Sequence, residues 1–61
     1  MRLKILDINN VEYLYADDKV NDYLDFSNIV NCYKFIRVIR IYDKKEMLIV
    51  NDKIKCVYEV K

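Results

Sequence analysis

Residues 35–42 form the most strongly apolar stretch of the chain, reading Phe-Ile-Arg-Val-Ile-Arg-Ile-Tyr. If the stretch is extended, alternate side chains point to opposite faces of a sheet, and each face receives three apolar or aromatic side chains and one arginine. Such a strand is typical of the middle of a sheet with a layer packed on each side. The pattern favours a strand over a buried helix, because three isoleucines and a valine have stiff side chains that lower helix propensity.

A hairpin is expected over residues 2–16. Residues 2–8 alternate loosely, and residues 11–16 return as a second strand after Asn9-Asn10, which suits a two-residue turn because asparagine tolerates positive φ. A two-residue loop places Asp7 opposite Glu12, and like charges at that position cost stability. Either this pair is well solvated or the loop is longer than two residues.

The second half of the chain shows three strand-like runs separated by polar turns at 43–45 and 51–53. After the run at 35–42, a short strand is expected over 46–50 and a last, half-buried strand over 54–61. Strands joined by three-residue turns commonly pair with their neighbours, so we expect a C-terminal three-strand meander over 34–61. The N-terminal hairpin either extends the same sheet or closes it into a small barrel.

The segment between these parts, residues 17–33, is the least regular. Asp17 is a candidate turn residue or helix N-cap, and Ser27 is a second candidate cap. Tyr23 fits a helical face with its neighbours but also fits a short strand. We expect one short helix within 18–33. The fold class is therefore mainly β with a minor α part: a small antiparallel sheet or partly open barrel of about five strands, in a single small domain over 1–61.

Length and composition together predict self-association or an obligate partner. A chain of about 60 residues buries only about 60% of its unfolded surface, so its stability is marginal alone. Here 54% of the 61 residues are hydrophobic. Much of that apolar surface has to stay at the exterior, where large apolar patches mark interaction sites. We expect a homodimer or a stable complex with an unidentified protein.

Several chemistries are excluded by residue types that the chain lacks. It has no His and no Gly, and its two cysteines, Cys32 and Cys56, form no CxxC pair. Ser-His and Cys-His nucleophiles, zinc sites and phosphate-binding glycine loops all need those residues. We therefore expect no enzyme activity, no cofactor and no metal site. With no signal peptide or membrane-length apolar run, the expected location is cytoplasmic, with free thiols and no membrane partner.

Charge is unevenly distributed along the chain. Residues 7–25 carry six acids and one base, whereas residues 34–61 carry eight bases and four acids. This asymmetry either steers a partner or lets the two halves attract each other. The acids of 17–25 form either a surface that mimics nucleic acid or a solvated face. The absence of Gly and Pro, with abundant Ile, Lys, Asn and Tyr, indicates an AT-rich genome, as in a low-GC bacterium, its phage or a mobile element.

The sequence thus predicts a small cytosolic protein-interaction module, homodimeric, acting as an accessory or inhibitory factor of phage, mobile-element or low-GC bacterial origin. Aromatic residues and arginine are the usual interface anchors, and the candidates are Tyr13, Tyr15, Tyr23, Arg37, Arg40 and Tyr42. The alternative is a small β-barrel protein that binds single-stranded nucleic acid by base stacking beside positive charge. Its candidates are Tyr33, Lys34, Arg37, Arg40 and Tyr42. The net charge of only +1 argues against strong phosphate binding.

Overall fold

Five antiparallel strands and one α-helix make up the protein in this computed structural model, which describes residues 2–20 and 22–60. The elements are β1 (Arg2–Asp7), β2 (Glu12–Tyr15), α1 (Tyr23–Cys32), β3 (Phe35–Arg40), β4 (Glu46–Val50) and β5 (Ile54–Val60), with a short 3-10 turn at Asn51–Lys53. The strands form one sheet in the order β4-β3-β2-β1-β5. The expected fold class, mainly β with one short helix within 18–33, is confirmed, and the sheet is not closed into a barrel.

The sheet is strongly curled, because a three-residue turn joins its two edge strands. β4 and β5 stand at opposite ends of the strand order, yet only Asn51–Lys53 lies between them. The N–H of Asn51 donates to the Lys34 carbonyl at 2.9 Å, and the N–H of Ile8 donates to the Lys53 carbonyl at 2.9 Å. The turn therefore ties the β3 side of the sheet to the β1 side.

The C-terminal three-strand meander expected over 34–61 is not formed. β3 and β4 make the expected hairpin, but β5 pairs with β1 and not with β4. A polar three-residue turn commonly joins strands that are neighbours in the sheet. In a curled sheet the same length of chain is enough to cross from one edge to the other, so loop length alone does not decide the pairing.

One face of the sheet, which we call the inner face, shares the hydrophobic core with α1. The buried core side chains are Leu3, Ile5, Tyr13, Tyr15, Phe26, Ile36 and Val38. The helix contributes Phe26, with Ile29 and Val30 packed beside it, at the i, i+3, i+4 spacing of one helical face. The ring of Phe26 meets Tyr15 edge to face, with centroids 5.2 Å apart. Such a pair adds about 0.5–1.5 kcal/mol beyond the area it buries.

The helix begins at Tyr23 because Asp22 caps it. The Asp22 carboxylate accepts a hydrogen bond from the N–H of Asp25 at 2.9 Å, and Asp25 places negative charge in the first turn, where the helix dipole favours it. Neither expected cap serves this helix. Asp17 instead accepts from the N–H of Lys19 at 3.0 Å in a separate turn, and Ser27 lies inside the helix.

The helix ends against the turn that joins the edge strands. The N–H of Tyr33 donates to the Ile29 carbonyl at 2.9 Å. The side-chain amide of Asn51 donates to the carbonyls of both Val30 and Tyr33, at 2.7 Å each. These bonds satisfy carbonyl groups that the end of a helix otherwise leaves without partners. Asn51 thereby fixes α1 to the edge-joining turn.

The β1–β2 hairpin has a longer loop than the Asn9-Asn10 dipeptide. Leu6 lies opposite Glu12 and Ile5 lies opposite Tyr13, which shifts the register by one residue from the two-residue alternative. Glu12 consequently forms an ion pair with Lys4 and does not face Asp7. The longer loop is the alternative that avoids the like-charge pair.

Asp7 occupies the inner side of this loop with only 5% of its surface exposed. Its carboxylate accepts hydrogen bonds from the N–H groups of Asn9 at 2.8 Å and Val11 at 2.9 Å, and from the Tyr13 hydroxyl at 2.8 Å. Burial alone raises the pKa of Asp7, but these three bonds, together with the charge of Lys53, outweigh it and hold the pKa below its usual range. Burial and the bond to Asp7 raise the pKa of Tyr13 to about 12.

Two turns use a left-handed backbone conformation without glycine. Asn10 has φ of 64° in the β1–β2 loop, which asparagine tolerates well. Lys44 has φ of 57° in the turn between β3 and β4, where the Cβ of lysine carries a steric cost that glycine avoids. The turn before β4 is therefore strained at one position.

We predict that Asp7→Asn destabilises the protein by about 2 kcal/mol at neutral pH, because three donors lose a charged acceptor. A folded-state pKa below the unfolded value stabilises the fold above the unfolded pKa, and this contribution is lost as pH falls through the folded pKa. The difference between wild type and variant should therefore shrink below about pH 4 in urea unfolding experiments. Asp18→Asn, at an exposed residue, is the control and should stay within about 0.5 kcal/mol of wild type. A constant difference from pH 7 to pH 2 would contradict this role.

We predict that Lys44→Gly stabilises the protein by about 0.5–1 kcal/mol, because glycine adopts positive φ without the steric cost. Lys45→Gly is the matched control, since the neighbouring residue has ordinary backbone geometry and glycine there should destabilise by a similar amount. Thermal unfolding of both variants measures the effect. Equal destabilisation by both substitutions would rule out strain at Lys44.

Candidate protein-docking surface

The second face of the sheet, which we call the outer face, is covered by no other element in the described part of the chain. It is made by the strand positions that alternate with the core residues. Its apolar side chains are Leu6, Leu14, Phe35, Ile39, Leu48, Val50, Tyr58 and Val60. The apolar pattern of residues 35–42 predicts a packed layer on each side of β3. The structure has such a layer on the inner face alone.

The most exposed part of the outer face lies on β3 and β4. Phe35 is 53% exposed and Leu48 is 65% exposed. Phe35 lies opposite Val50, and Arg37 lies opposite Leu48, so these four side chains are neighbours across the two strands. Large apolar side chains clustered on an uncovered face are a common feature of docking surfaces.

Two ion pairs interrupt the apolar side chains of the outer face. Lys4 pairs with Glu12 across β1 and β2, and Arg37 Nε lies 2.8 Å from Glu46 Oε1 across β3 and β4. The Arg37–Glu46 pair is well exposed to solvent and contributes little to stability. Neither pair links the acidic segment 17–25 to the basic half of the chain. These two ion pairs therefore do not hold the acidic and basic halves of the chain together.

The total accessible surface is 4325 Å². A folded monomer of 7.5 kDa is expected to expose about 4,200 Å². The fold therefore buries as much surface as an ordinary protein of its size. The inner face and α1 nevertheless accommodate only part of the hydrophobic residues, and large side chains such as Phe35, Leu48 and Tyr58 stay exposed.

The free edge of β4 presents unpaired backbone groups. The N–H of Arg40 donates to the Lys45 carbonyl at 2.8 Å, and Asn51 donates to Lys34 at the other end of the pair. Hydrogen-bonding positions alternate along an antiparallel strand, so Glu46, Leu48 and Val50 direct their N–H and C=O groups away from β3. No backbone bond from these three amides to another described residue closes this edge.

The opposite edge of the sheet is protected. α1 runs alongside β5, and the Tyr23 hydroxyl accepts a hydrogen bond from the N–H of Glu59 at 3.1 Å. Charged residues at Lys55 and Glu59 further discourage pairing with another strand. β4, by contrast, is apolar from Met47 to Val50 and has no adjacent helix among the described residues. The two edges are therefore not equivalent.

The structure separates the six residues expected to bind a protein. Tyr13 and Tyr15 are buried in the core and are removed from the candidate surface. Tyr23 is half exposed, but its hydroxyl is engaged by β5. Arg37 lies on the outer face beside Leu48. The remaining two, Arg40 and Tyr42, lie together at the far end of β3.

Arg40 and Tyr42 form a small cluster with Asp43. The Arg40 guanidinium donates to both carboxylate oxygens of Asp43, at 3.0 and 2.5 Å, and stands 4.8 Å from the centre of the Tyr42 ring. The hydrogen bonds from Arg40, with a lesser contribution from the N–H of Lys45, lower the pKa of Asp43 to about 2. Arg40 is thus already neutralised, and the exposed Tyr42 covers it.

The residues proposed for nucleic-acid binding do not form one patch. Tyr33 and Lys34 precede β3, whereas Tyr42 follows it, and a six-residue strand separates its ends by about 20 Å. Arg37 and Arg40 lie on opposite faces of that strand, and each is paired with a carboxylate. A base-stacking platform beside free positive charge is not assembled from these residues.

Sequence reasoning missed two apolar residues, Phe35 and Leu48, and one acid, Asp7. Phe35 belongs to a run for which a layer is predicted on both faces, and no signal separates a buried from an uncovered face when both carry the same residue types. Asp7 is one of the six acids of residues 7–25, and its burial is not predicted. The like-charge conflict with Glu12 was the one sign that its side chain turns inward.

Comparison with known proteins finds no match to any protein-family profile, curated protein or solved structure. Within residues 2–20 and 22–60, no helix is long and apolar enough to cross a membrane. The same residues contain no cluster of three or more His, Cys, Asp or Glu side chains arranged to hold a metal ion. Cys32 and Cys56 are not bonded to each other.

We predict that Tyr23→Phe exposes the β5 edge, because the Glu59 N–H loses the hydroxyl that accepts from it. The bond is accessible to water, so the stability loss should be small, about 0.5 kcal/mol. Hydrogen exchange at the Glu59 amide should accelerate. Tyr33→Phe is the control, since the Tyr33 hydroxyl makes no hydrogen bond to the described residues. Unchanged exchange at Glu59 in Tyr23→Phe would show that the hydroxyl does not protect this edge.

Proposed function

We propose that this protein is a protein-interaction module that docks partners on the outer face of its sheet and acts as an accessory or inhibitory factor. The observation that carries the proposal is the uncovered cluster around Phe35 and Leu48. The proposal includes a cytosolic location and an origin in a low-GC bacterium, its phage or a mobile element, both inferred from the sequence.

The chemistry of the outer face supports protein binding over other uses. Interface centres are rich in aromatic side chains and arginine and poor in isolated charges. Phe35 and Tyr58 supply the aromatic anchors, and Arg37 supplies a planar guanidinium whose ion pair with Glu46 a partner carboxylate can replace. The two ion pairs balance the charges of Lys4 and Arg37, and a face with so few unbalanced cations attracts a phosphate backbone only weakly.

The acidic segment plays a structural part that limits its use as a docking site. Asp22 caps α1, Asp17 closes a turn and Asp7 is buried. The acids at 17, 18, 22 and 25 remain exposed, but two of them hold backbone N–H groups, and the proposal places the binding site on the sheet.

We predict that Phe35→Ser reduces binding of a captured partner at least tenfold, because an exposed aromatic anchor on a docking face commonly contributes more than 1.4 kcal/mol. The immobilised protein is exposed to a lysate of phage-infected low-GC bacterial cells, and the affinity of each retained protein is then measured with purified variants. Tyr58→Ser tests the β5 side of the same face.

Leu24→Ser is the matched control, because Leu24 is 72% exposed but lies on α1, away from the outer face. The proposal requires that this control binds the partner as wild type does. Capture that is equal for wild type, Phe35→Ser and Tyr58→Ser would exclude the outer face as the docking site.

A further inference from the structure

β4 has the features that natural sheet edges avoid. Its last four residues, Met47 to Val50, are all apolar, and the side of the strand away from β3 carries the open backbone groups of Glu46, Leu48 and Val50. Proteins usually blunt such an edge with an inward charge, a bulge, a proline or a covering helix. β5 has a covering helix. β4 has no proline and no covering helix within the described residues, and only a cavity separates its residues 48–50 from the β1–β2 loop.

We infer that a second copy of this chain pairs with β4, joining two sheets into one antiparallel sheet of ten strands about a two-fold axis at Leu48. The inference rests on the proposed function, because it identifies a second copy of the chain as the partner that binds the β4 side of the docking surface. When two copies pair through the same strand edge, each copy contributes the same residues to the contact, as a two-fold interface requires.

The register follows from the length of β4 and the alternation of its backbone groups. The outward groups belong to residues 46, 48 and 50, and these must face the outward groups of the second copy. With the axis at Leu48, Leu48 faces Leu48, Glu46 faces Val50, and all five residues of the strand are paired. An axis at Met47 leaves Val50 opposite the turn residue Lys44, and fewer strand residues are paired.

Charges just outside β4 favour the same register. With the axis at Leu48, the exposed Lys44 of one copy lies opposite the exposed Asp52 of the other, and this contact occurs twice. Moving the axis one residue, to Ile49, sets Glu46 opposite Asp52 and Lys45 opposite Lys53. Like charges at directly opposed positions destabilise strand pairing, so the charges around β4 favour the register centred on Leu48 over the one centred on Ile49.

This pairing extends the outer face without covering it. An antiparallel edge pairing has its two-fold axis perpendicular to the sheet, so the outer faces of both copies lie on the same side. The Phe35–Leu48 clusters of the two copies then adjoin across the axis. The dimer thereby presents a docking face twice the size of the one on a single chain.

Site-specific disulfide formation tests the register. In a Cys32→Ser, Cys56→Ser background, Leu48→Cys should form a covalent dimer under mild oxidation, because directly opposed hydrogen-bonded residues have Cα atoms about 5.5 Å apart, within the disulfide range. Glu46→Cys alone should not, since the two copies of residue 46 are separated by about 14 Å in this register. Glu46→Cys mixed with Val50→Cys should cross-link as Leu48→Cys does.

Charge exchange tests the ends of the contact without changing β4. Lys44→Asp should weaken self-association about tenfold, since it places two like-charged pairs across the dimer. Asp52→Lys should weaken it similarly, and the double variant should recover the wild-type affinity. Sedimentation equilibrium gives the dissociation constants, with the wild type approaching twice the 7.5 kDa mass of one chain at micromolar concentration.

A wild-type chain that sediments as a monomer throughout this range would overturn the inference. So would cross-linking of Glu46→Cys as efficient as that of Leu48→Cys, which would indicate contacts without a register. These outcomes leave the proposed function intact, because partner binding that depends on Phe35 and Tyr58 is measured separately. Conversely, a dimer with the expected register that captures no partner would support the inference and count against the wider docking role.

Discussion

The three residues that join β4 to β5 are the constraint on which the rest of the structure depends. A connection this short brings the two edges of a five-stranded sheet close together, and the sheet has to curl around its inner face. The concave side then has room for one short helix, and Phe26 fills it. Asn51, inside the connection, also binds the carbonyl groups at the end of α1. One turn thus sets the curvature of the sheet and the position of the helix.

The position of the helix makes the two edges and two faces of the sheet unequal. α1 lies beside β5 and engages it through Tyr23, so no further element among residues 2–20 and 22–60 covers β4 or the outer face. A domain of about 60 residues buries only about 60% of its unfolded surface, which leaves much apolar surface without a covering layer. The apolar residues beyond those the inner face can bury are consequently displayed on the outer face and along β4.

Local patterns in the sequence predicted which segments form strands, and β4 has the expected limits. The pairing of β5 with β1 could not be predicted, because alternation records which residues share a face and not which strand lies beside them. Asp7 shows a second limit. Its burial depends on a loop one residue longer than the Asn9-Asn10 turn suggests, and on a hydroxyl from Tyr13 on the next strand. Phe35 and Leu48 were recognised as apolar, but their exposure follows from where the single helix lies.

A monomer with an apolar outer face and an open strand edge binds other proteins with low specificity, because any strand or hydrophobic surface can associate with it. In the dimer that we infer, charges at the ends of β4 limit that cost. Lys44 and Asp52 attract each other across the register centred on Leu48 and lose this contact when the strand shifts. The strained backbone of Lys44 keeps a positive charge at this flank where asparagine or glycine would fit the turn better. Lys44 fits its turn poorly but fits the edge of the sheet well. Selection for a specific contact, and not for stability alone, is expected to keep such a residue.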